Sequence, residues 1–316
     1  MDLLGIHHLT AVSASIRQNH RFYTRTLGMR LVKRSVNQDD VSAYHLFYAD
    51  ARGTPGTDLT FFDWPVPPER RGTRSIVRTY LRVAGEDSLL FWRDRLRAEG
   101  VTAGQILERD GRLTLDFEDP EGQRLALIDD GGEGDSFPWE KSSVSPERQV
   151  RGLGPIAMSV PALDPTDRIV RGLLGMRKSR EYPHSERASD TVHVYEMGPG
   201  GVRAELHIAV QPNLAPARLG AGGVHHVAFR TPTFDEYDAW VERLAESGVP
   251  NSGPVDRYWF RSLYVREPNG ILFEIATDGP GFGVDEDPAT LGEKVVLPPF
   301  FESQRERIVA NLKPID

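Results

Sequence analysis

Two histidine doublets and one glutamate are the residues of this chain best suited to hold a metal ion. The doublets are His7-His8 and His225-His226, and each is followed by apolar, strand-forming residues in the segments GIHHLT and GVHHVA. Glu274 lies inside the apolar segment ILFEIA, where a carboxylate is costly to bury unless it is paired with a cation or binds a metal. Two histidines and one carboxylate leave coordination positions open, which suits iron(II) or another divalent ion. The candidate catalytic metal site is therefore His8, His226 and Glu274.

Each of these residues could also have an ordinary structural role. A histidine near a strand start commonly makes a structural hydrogen bond, and a strand glutamate commonly faces solvent. Neighbouring side chains of a strand point to opposite faces, so only one histidine of each doublet is expected to face a given concave surface. Together, the two doublets and Glu274 favour a metal site more strongly than each residue does alone. The two doublets open separate modules of the chain, and Glu274 follows the second doublet within one module.

A second cluster competes with the first. Glu205 and His207, in the segment RAELHIA, stand two residues apart on one strand face, and His193 lies on the preceding strand. We expect no metal there, because Glu205 and His207 can satisfy each other by a hydrogen bond. The remaining histidines have no convergent partners in the sequence and are expected to be structural or at the surface; these are His20, His45 and His184.

Composition excludes several classes of function. The chain has 316 residues and no cysteine, so it forms no disulfide, no thiolate metal site and no cysteine nucleophile. The net charge of −8, spread along the sequence, disfavours a nucleic-acid partner, which would need a clustered basic face. No run of eighteen apolar residues and no signal peptide is present, so we expect no membrane association and a cytoplasmic location.

An internal repeat supplies the elements that must position these residues. At an offset of 148 residues, the segment FWRDRLRAEGV aligns with AWVERLAESGV, and LGMR occurs twice at an offset of 147. Each half divides again into a strand, a helix and about three strands, which gives four modules of about 79 residues. A sheet of that size beside one helix cannot close a barrel alone, so the modules must pair.

The fourth module shows its elements most clearly. Thr233 and Glu236 form a capping box, and Gly248 stands where a helix C-terminal glycine is expected. Farther along, Glu267-Pro268-Asn269-Gly270 separates two strand-like segments and predicts a three-residue hairpin loop. With the loop centred on Asn269, Tyr264 lies opposite Glu274.

These residues resemble the vicinal oxygen chelate superfamily, which includes glyoxalases, bleomycin-resistance proteins and extradiol dioxygenases. More closely, the chain is similar to the ring-cleaving hydroquinone 1,2-dioxygenases, through GIHHLT, GGVHHVAF, DRYWFRSLYVREPNGILFEIATD and the tail LGEKVVLPPFFESQRERI. The resemblance implies an α+β fold of four βαβββ modules in two halves, paired into cup-shaped sheets with helices outside. One metal ligand comes from the first module and two from the fourth, so modules 1 and 4 should share the metal cup.

The resemblance also implies an activity, which is oxygen-dependent opening of the ring of a hydroquinone-type phenol by Fe(II). It places the iron ligands at His8, His226 and Glu274. Proton transfer is expected from Tyr264 and from His225 or His7, and substrate binding from Arg257 and Thr10. The small partners would be an aromatic substrate and O2. Strict strand alternation would turn His7 and His225 away from the cup, unless the strand starts are twisted or bulged.

Two other functions remain open from the sequence. A glyoxalase-type isomerase or lyase would use the same cup with Zn(II), Ni(II) or Mn(II), and a binding protein that sequesters small molecules would need no ligand set. We divide the chain into an N-terminal domain of residues 1–140, a C-terminal domain of residues 150–280 and a tail of residues 281–316 that contains a helix. The apolar tail segment Leu297 to Phe301 would cover the site or pack against another copy, which leaves a homo-oligomer open.

Overall fold

One helical segment and four strands recur four times along the computed structural model, which describes residues 1–315. The first module contains β1 Ile6–Ser13, α1 Ile16–Arg21, β2 Arg30–Asn37, β3 Asp40–Ala49 and β4 Asp58–Asp63. The second contains β5 Ser75–Val83, α2 Glu86–Ala98, β6 Ala103–Arg109, β7 Arg112–Glu118 and β8 Arg124–Asp129. The third contains β9 Leu153–Val160, α3 Leu163–Asp167, β10 Arg177–Pro183, β11 Thr191–Glu196 and β12 Glu205–Val210. The fourth contains β13 Val224–Thr231, α4 Phe234–Glu246, β14 Asn251–Asp256, β15 Phe260–Arg266 and β16 Leu272–Pro280. The predicted βαβββ modules are confirmed.

The modules pair across the two halves of the chain. One eight-stranded sheet has the order β14-β15-β16-β13-β1-β4-β3-β2 and so joins module 4 to module 1. The other has the order β10-β11-β12-β9-β5-β8-β7-β6 and joins module 3 to module 2. In both sheets the two opening strands pair antiparallel at the centre, β1 with β13 and β5 with β9. The predicted pairing of modules 1 and 4 is therefore confirmed.

The helices cover the convex faces of the sheets and bury large apolar side chains against them. Trp92 on α2 and Trp240 on α4 are both fully buried in the same core cluster. The predicted start of α4 is confirmed, because the Thr233 hydroxyl accepts a hydrogen bond from the Glu236 amide at 3.2 Å. Gly248 follows this helix with φ of +70°, a conformation that favours glycine.

The hairpin between β15 and β16 has the predicted register. Tyr264 is paired with Glu274 across the two strands. The Glu267 carboxylate accepts hydrogen bonds from the amides of Asn269 and Ile271, which fixes the loop. Gly270 adopts φ of +91°, so the turn requires glycine at this position. The loop therefore sets which side chains of β15 and β16 reach the concave face together.

The tail packs beside the first sheet and ends in the helix α5 Arg305–Ala310. Leu297 and Ile308 are buried against Val36 of β2. Nearer the cup, Lys33 is fully buried and its ammonium group contacts the carboxylates of Asp285 and Glu286. The tail thus covers part of the sheet that carries the candidate site. Within residues 1–315, no helix combines the length and apolar character needed to cross a bilayer.

Candidate metal centre

Three buried ligand groups converge on the concave face of the first sheet. His8 on β1, His226 on β13 and Glu274 on β16 lie on neighbouring strands, and each is at most 3 % exposed. The Glu274 Oε2 atom lies 3.0 Å from His226 Nε2 and 3.3 Å from His8 Nε2. Ligands bound side by side to a metal at about 2.1 Å lie about 3 Å apart, so these separations fit one ion.

The two oxygens of Glu274 have different surroundings. The Oε1 atom accepts a hydrogen bond from the Ser262 hydroxyl at 2.5 Å. The Oε2 atom is buried and, among the residues that the structure describes, makes no hydrogen bond. A buried carboxylate oxygen without a hydrogen bond is rare in proteins and calls for a cation. The arrangement therefore fits a divalent metal held by His8, His226 and Glu274.

The tautomer of His8 supports the same conclusion. His7 Nε2 lies 3.0 Å from the carbonyl oxygen of Thr277, which can only accept, so this nitrogen carries the proton. Burial, followed by the charge of His8, lowers the pKa of His7 to about 3, so His7 is neutral and its Nδ1 accepts. His8 Nδ1 lies 2.9 Å from that atom and must donate to it. His8 Nε2 is thereby the nitrogen that faces Glu274, and once deprotonated it would bind a metal.

The second doublet repeats this contact. His225 Nδ1 and His226 Nδ1 are 2.7 Å apart, and burial followed by the charge of His226 lowers the pKa of His225 to about 3. Both doublets coincide with irregularities in the β1–β13 pairing, between Ile6 and His8 and between Thr10 and Ala11. These bulges turn both histidines of a doublet toward each other, which strict alternation excludes.

Burial and charge act against each other at the carboxylate. Burial by itself raises the pKa of Glu274, but in the metal-free site protons on the neighbouring histidines, on His8 above all, outweigh it. The net result is a pKa well below the ordinary value of a glutamate, so the carboxyl is ionised. For His226, burial dominates and lowers the pKa, which favours the neutral imidazole that metals bind. The protonation states therefore suit metal binding.

A cavity of about 30 Å³, enough for one or two water molecules, is lined by the two ligand histidines His8 and His226. Its walls are mainly aromatic, from Phe47, Phe62, Trp259 and Phe260. The mouth is crossed by a contact between modules, because the Arg257 guanidinium binds both carboxylate oxygens of Asp39 at 3.1 and 2.9 Å. The cavity is too small for an aromatic ring in this conformation, so binding one requires the lining side chains to move apart.

Arg257 and Tyr264 both line this cavity, as the sequence predicts for site residues. The Arg257 Nε–H group donates to the Tyr264 phenol oxygen at 3.2 Å. Burial, followed by the charge of Glu274, raises the pKa of Tyr264, so the phenol stays protonated. Burial would lower the pKa of Arg257, but hydrogen bonds to Asp39 and Tyr264 reverse this and raise it. The pair thus presents a cation and a hydroxyl donor beside the ligands.

The other predicted site residues lie behind the cavity wall. His7, Thr10 and His225 are not among the residues that line the cavity. His7 and His225 contact the ligand histidines, as described above. The Thr10 hydroxyl lies 2.8 Å from the hydroxyl of Thr60, and it is fully buried. The structure therefore brings these three next to the ligand set and not into the cavity.

His45 is a site residue that the sequence analysis missed. It lines the cavity from β3, and its Nε2 atom lies 2.9 Å from the Thr60 hydroxyl. Burial, followed by the charges of His8 and His226, lowers the pKa of His45 well below its ordinary value. The alternation of YHLFY gives a signal, since His45 shares a strand face with Phe47, but no repeated doublet marks it. The contact with Thr60 fits the expected structural role of His45, but the sequence analysis did not anticipate that His45 lines the same cavity as His8 and His226.

The competing cluster on the second sheet is occupied by arginines. His207 Nε2 lies 3.0 Å from Glu205 Oε2, as predicted, and Arg112 binds both oxygens of Glu205 at 2.9 Å. Arg180 approaches the same carboxylate at 3.0 Å. His193 instead contacts Glu181 at 3.1 Å. Two guanidinium groups already neutralise Glu205, so this cluster does not call for a metal.

Comparison with known proteins covers the whole chain. The family model described as the glyoxalase/bleomycin resistance protein/dioxygenase superfamily matches residues 5–127 and 152–275. MhqA of Bacillus subtilis (strain 168), named as a candidate ring-cleaving dioxygenase, is 44 % identical over 317 residues, covering 100 % of both chains. The chlorohydroquinone/hydroquinone 1,2-dioxygenase of Sphingobium indicum is 29 % identical, covering 98 % of this chain and 95 % of that protein.

Solved structures share the architecture. The crystal structure of a candidate dioxygenase from Bacillus subtilis subsp. subtilis str. 168 superposes with a TM-score of 0.90 at 32 % identity, covering 99 % of this chain and 98 % of the other. Glyoxalase I from Zea mays superposes with a TM-score of 0.63 at 14 % identity, covering 87 % and 92 %. The maize enzyme is similar in fold alone.

Proposed function

The chain belongs to the glyoxalase/bleomycin resistance protein/dioxygenase superfamily, and from this membership we propose that it is a ring-cleaving dioxygenase. The names of MhqA and of the Sphingobium indicum enzyme support the reaction class. We propose further that the metal is Fe(II) and that the substrate is a hydroquinone-type phenol. The 29 % identity to the chlorohydroquinone/hydroquinone 1,2-dioxygenase supports this finer assignment.

One observation carries the proposal: the Glu274 oxygen that lacks a hydrogen bond lies within 3.3 Å of two histidine nitrogens, and both histidines line an aromatic cavity. His8, His226 and Glu274 would hold the iron and leave neighbouring coordination positions open to the cavity. Bound iron(II) would lower the pKa of a phenol hydroxyl and bring phenol and O2 together in one geometry.

The protein's own residues would bind and orient the ring. Phe47, Phe62 and Phe260 provide flat apolar surfaces on which an aromatic substrate can pack. A para-diol cannot chelate one ion through both hydroxyls, so its second oxygen needs a partner at the cavity wall. Arg257 lines that wall and would bind this oxygen or offset negative charge that develops on it.

Proton transfer is assigned to groups that reach the cavity. Tyr264 is the donor, because Arg257 already donates to its phenol oxygen and the phenol is protonated. His45 is the acceptor, because it lines the cavity as a neutral imidazole. His7 and His225 would take part only through the ligand histidines that they contact, since neither lines the cavity.

Metal reconstitution tests the proposal directly. The metal-free protein is loaded anaerobically with Fe(II), Mn(II), Zn(II) or Ni(II) and then mixed with hydroquinone in an oxygen electrode. Oxygen uptake in proportion to ring opening, with Fe(II) only or best, is the expected result. Isomerisation of a thiol–ketoaldehyde adduct without oxygen uptake would instead identify a glyoxalase, and tight ligand binding without turnover would identify a sequestering protein. Glu181→Gln is the matched control for Glu274→Gln, because Glu181 lies on the other sheet and half of its side chain or more is exposed.

A further inference from the structure

The concave face of the second sheet is a second cup whose positions correspond to those of the metal cup. Thr10 is opposite His226 where β1 pairs with β13. Ala157 is opposite Arg78 at the same point of the β9–β5 pair. Arg78 therefore occupies the place of a metal-binding histidine and brings a permanent positive charge there.

The carboxylate of the metal cup is also replaced. Tyr264 is opposite Glu274 in the metal cup, and Asp116 is opposite Ala126 at the equivalent point of β7 and β8. An alanine fills far less space than a glutamate. The second cup has a cavity of about 250 Å³, against about 30 Å³ in the metal cup. A cavity of this size accommodates a small organic molecule.

Positive charge dominates the lining of this second cavity. Five arginines line it, and Glu186 is the acidic residue among the lining side chains; the arginines are Arg71, Arg78, Arg109, Arg124 and Arg187. Carboxylates outside the lining already bind some of them. Asp116 binds Arg78 at 2.9 Å and Arg109 at 2.7 Å, and Glu118 binds Arg71 at 2.7 Å.

Arg124 differs from these arginines. It forms an ion pair with Glu69 at 3.7 Å, which is longer than a hydrogen bond, and within residues 1–315 its guanidinium makes no hydrogen bond. Its side chain is only 21 % exposed. Burial, opposed by Glu69 and reinforced by the charges of Arg71 and Arg78, lowers its pKa. Arg124 itself lines the cavity, so guanidinium donors without a hydrogen bond adjoin it.

Part of the remaining wall is apolar, beside the polar residues His184, Ser185 and Gln211. Tyr80, Tyr182, Val192 and Leu214 line the cavity. The Tyr182 hydroxyl lies 2.9 Å from His207 Nδ1, and His207 in turn contacts the buried Glu205. This chain of contacts fixes the aromatic wall in place.

We propose that the second cup binds a small aromatic or unsaturated carboxylate, with the carboxylate at Arg124 and the apolar part between Tyr80 and Leu214. A guanidinium binds a carboxylate through two parallel hydrogen bonds, which Arg124 has free. The proposal does not depend on the dioxygenase assignment, because binding is measured without turnover. Two sources share this chemistry, an aromatic acid and the unsaturated acid left by ring opening.

Isothermal titration of the full chain with benzoate tests the proposal. Benzoate should bind in a 1:1 ratio, and benzyl alcohol, which has the same ring without the charge, should bind at least about tenfold more weakly. Arg124→Gln should weaken benzoate binding about tenfold, whereas Arg93→Gln, on α2 and outside the cavity lining, should leave it unchanged. Equal binding of benzoate and benzyl alcohol would overturn the proposal.

Two further variants distinguish binding at Arg124 from a folding defect and from binding in the metal cup. Arg124→Lys keeps the charge but loses the paired donors, so its affinity for benzoate should lie between those of the unaltered chain and Arg124→Gln, which distinguishes a lost contact from a misfolded variant. Glu274→Gln should bind benzoate as the unaltered chain does, and loss of binding there would place the ligand in the metal cup and refute the proposal. A parallel titration with cis,cis-muconate identifies the source of the ligand. Tighter binding of benzoate indicates an aromatic acid, and tighter binding of muconate indicates a ring-opened acid. If neither acid binds, the proposal is overturned.

Discussion

Glu274→Gln should abolish most of the stabilisation that a divalent metal gives to this chain. Glutamine retains the shape of the side chain and an oxygen that can accept from Ser262, but it removes the charge beside His8 and His226. A metal at about 1,000 times its Kd stabilises the folded state by about 4 kcal/mol. A chain of 316 residues has an unfolding entropy of about 0.7 kcal/mol per kelvin. The metal should therefore raise the Tm of the unaltered protein by about 6 °C.

In Glu274→Gln, metal should raise the Tm by much less. Loss of the charged ligand should lower the metal affinity by at least about a hundredfold, since loss of a contact outside the ligand set already lowers it by about ten- to a hundredfold. At the same metal concentration the stabilisation then falls to about 1.4 kcal/mol, and the Tm increment to about 2 °C or less. Differential scanning calorimetry with and without metal measures both increments. Each increment is taken within one variant, so any change in metal-free stability cancels.

Glu181→Gln is the control and should keep the full increment. A metal-induced rise in the Tm of Glu274→Gln equal to that of the unaltered chain would refute the ligand set. Elemental analysis of the same samples then shows whether metal is bound elsewhere.

Three other outcomes are expected. His7→Phe removes the Nδ1 acceptor that orients His8 and should lower metal affinity about ten- to a hundredfold, measured by chelator competition; unchanged affinity would contradict the tautomer argument. Asp39→Asn breaks the ion pair with Arg257, whose acidic partner is 71 % exposed, so it should lower the free energy of unfolding in urea by at most about 1 kcal/mol. It should also change KM and the salt dependence of KM. An unchanged KM would show that this ion pair does not affect substrate entry. The pKa of His7 and of His225 is about 3 in the folded chain, against 6.5 ordinarily, so below pH 6.5 the unfolded chain takes up protons that the folded chain does not. The free energy of unfolding of the metal-free protein should therefore fall on acidification, by roughly 2 kcal/mol per histidine at pH 5. In urea titrations, His225→Gln should halve this loss.

The module architecture could be predicted because it rests on repeated, local signals. The offset repeat fixed the number of modules, and the ligand positions at the two ends of the chain required modules 1 and 4 to share a sheet. The register of Tyr264 against Glu274 followed from a short loop with Pro268 and Gly270, whose geometry depends on few residues.

The bulged doublets could be anticipated only as one of two alternatives. Alternation predicts the direction of His7 and His225 on an ideal strand, and the extra residue in the β1–β13 pairing depends on which partner strand is present. His45 escaped prediction for a similar reason. Its closeness to the ligands arises from the β3–β4–β1 order of the sheet, and no spacing in the sequence encodes that order. The Arg257–Asp39 contact likewise joins residues 218 positions apart.

Each sheet in this protein contains strands from both halves of the chain, and this has a consequence for proteolysis. A protease that nicks the connecting loop between residues 136 and 152 would cut one peptide bond but leave the antiparallel seams β1–β13 and β5–β9 intact. The two fragments should elute together from a sizing column and separate only in denaturant. Neither fragment alone would carry His8 together with Glu274, so co-expressed halves should regain a working centre only by reassembling.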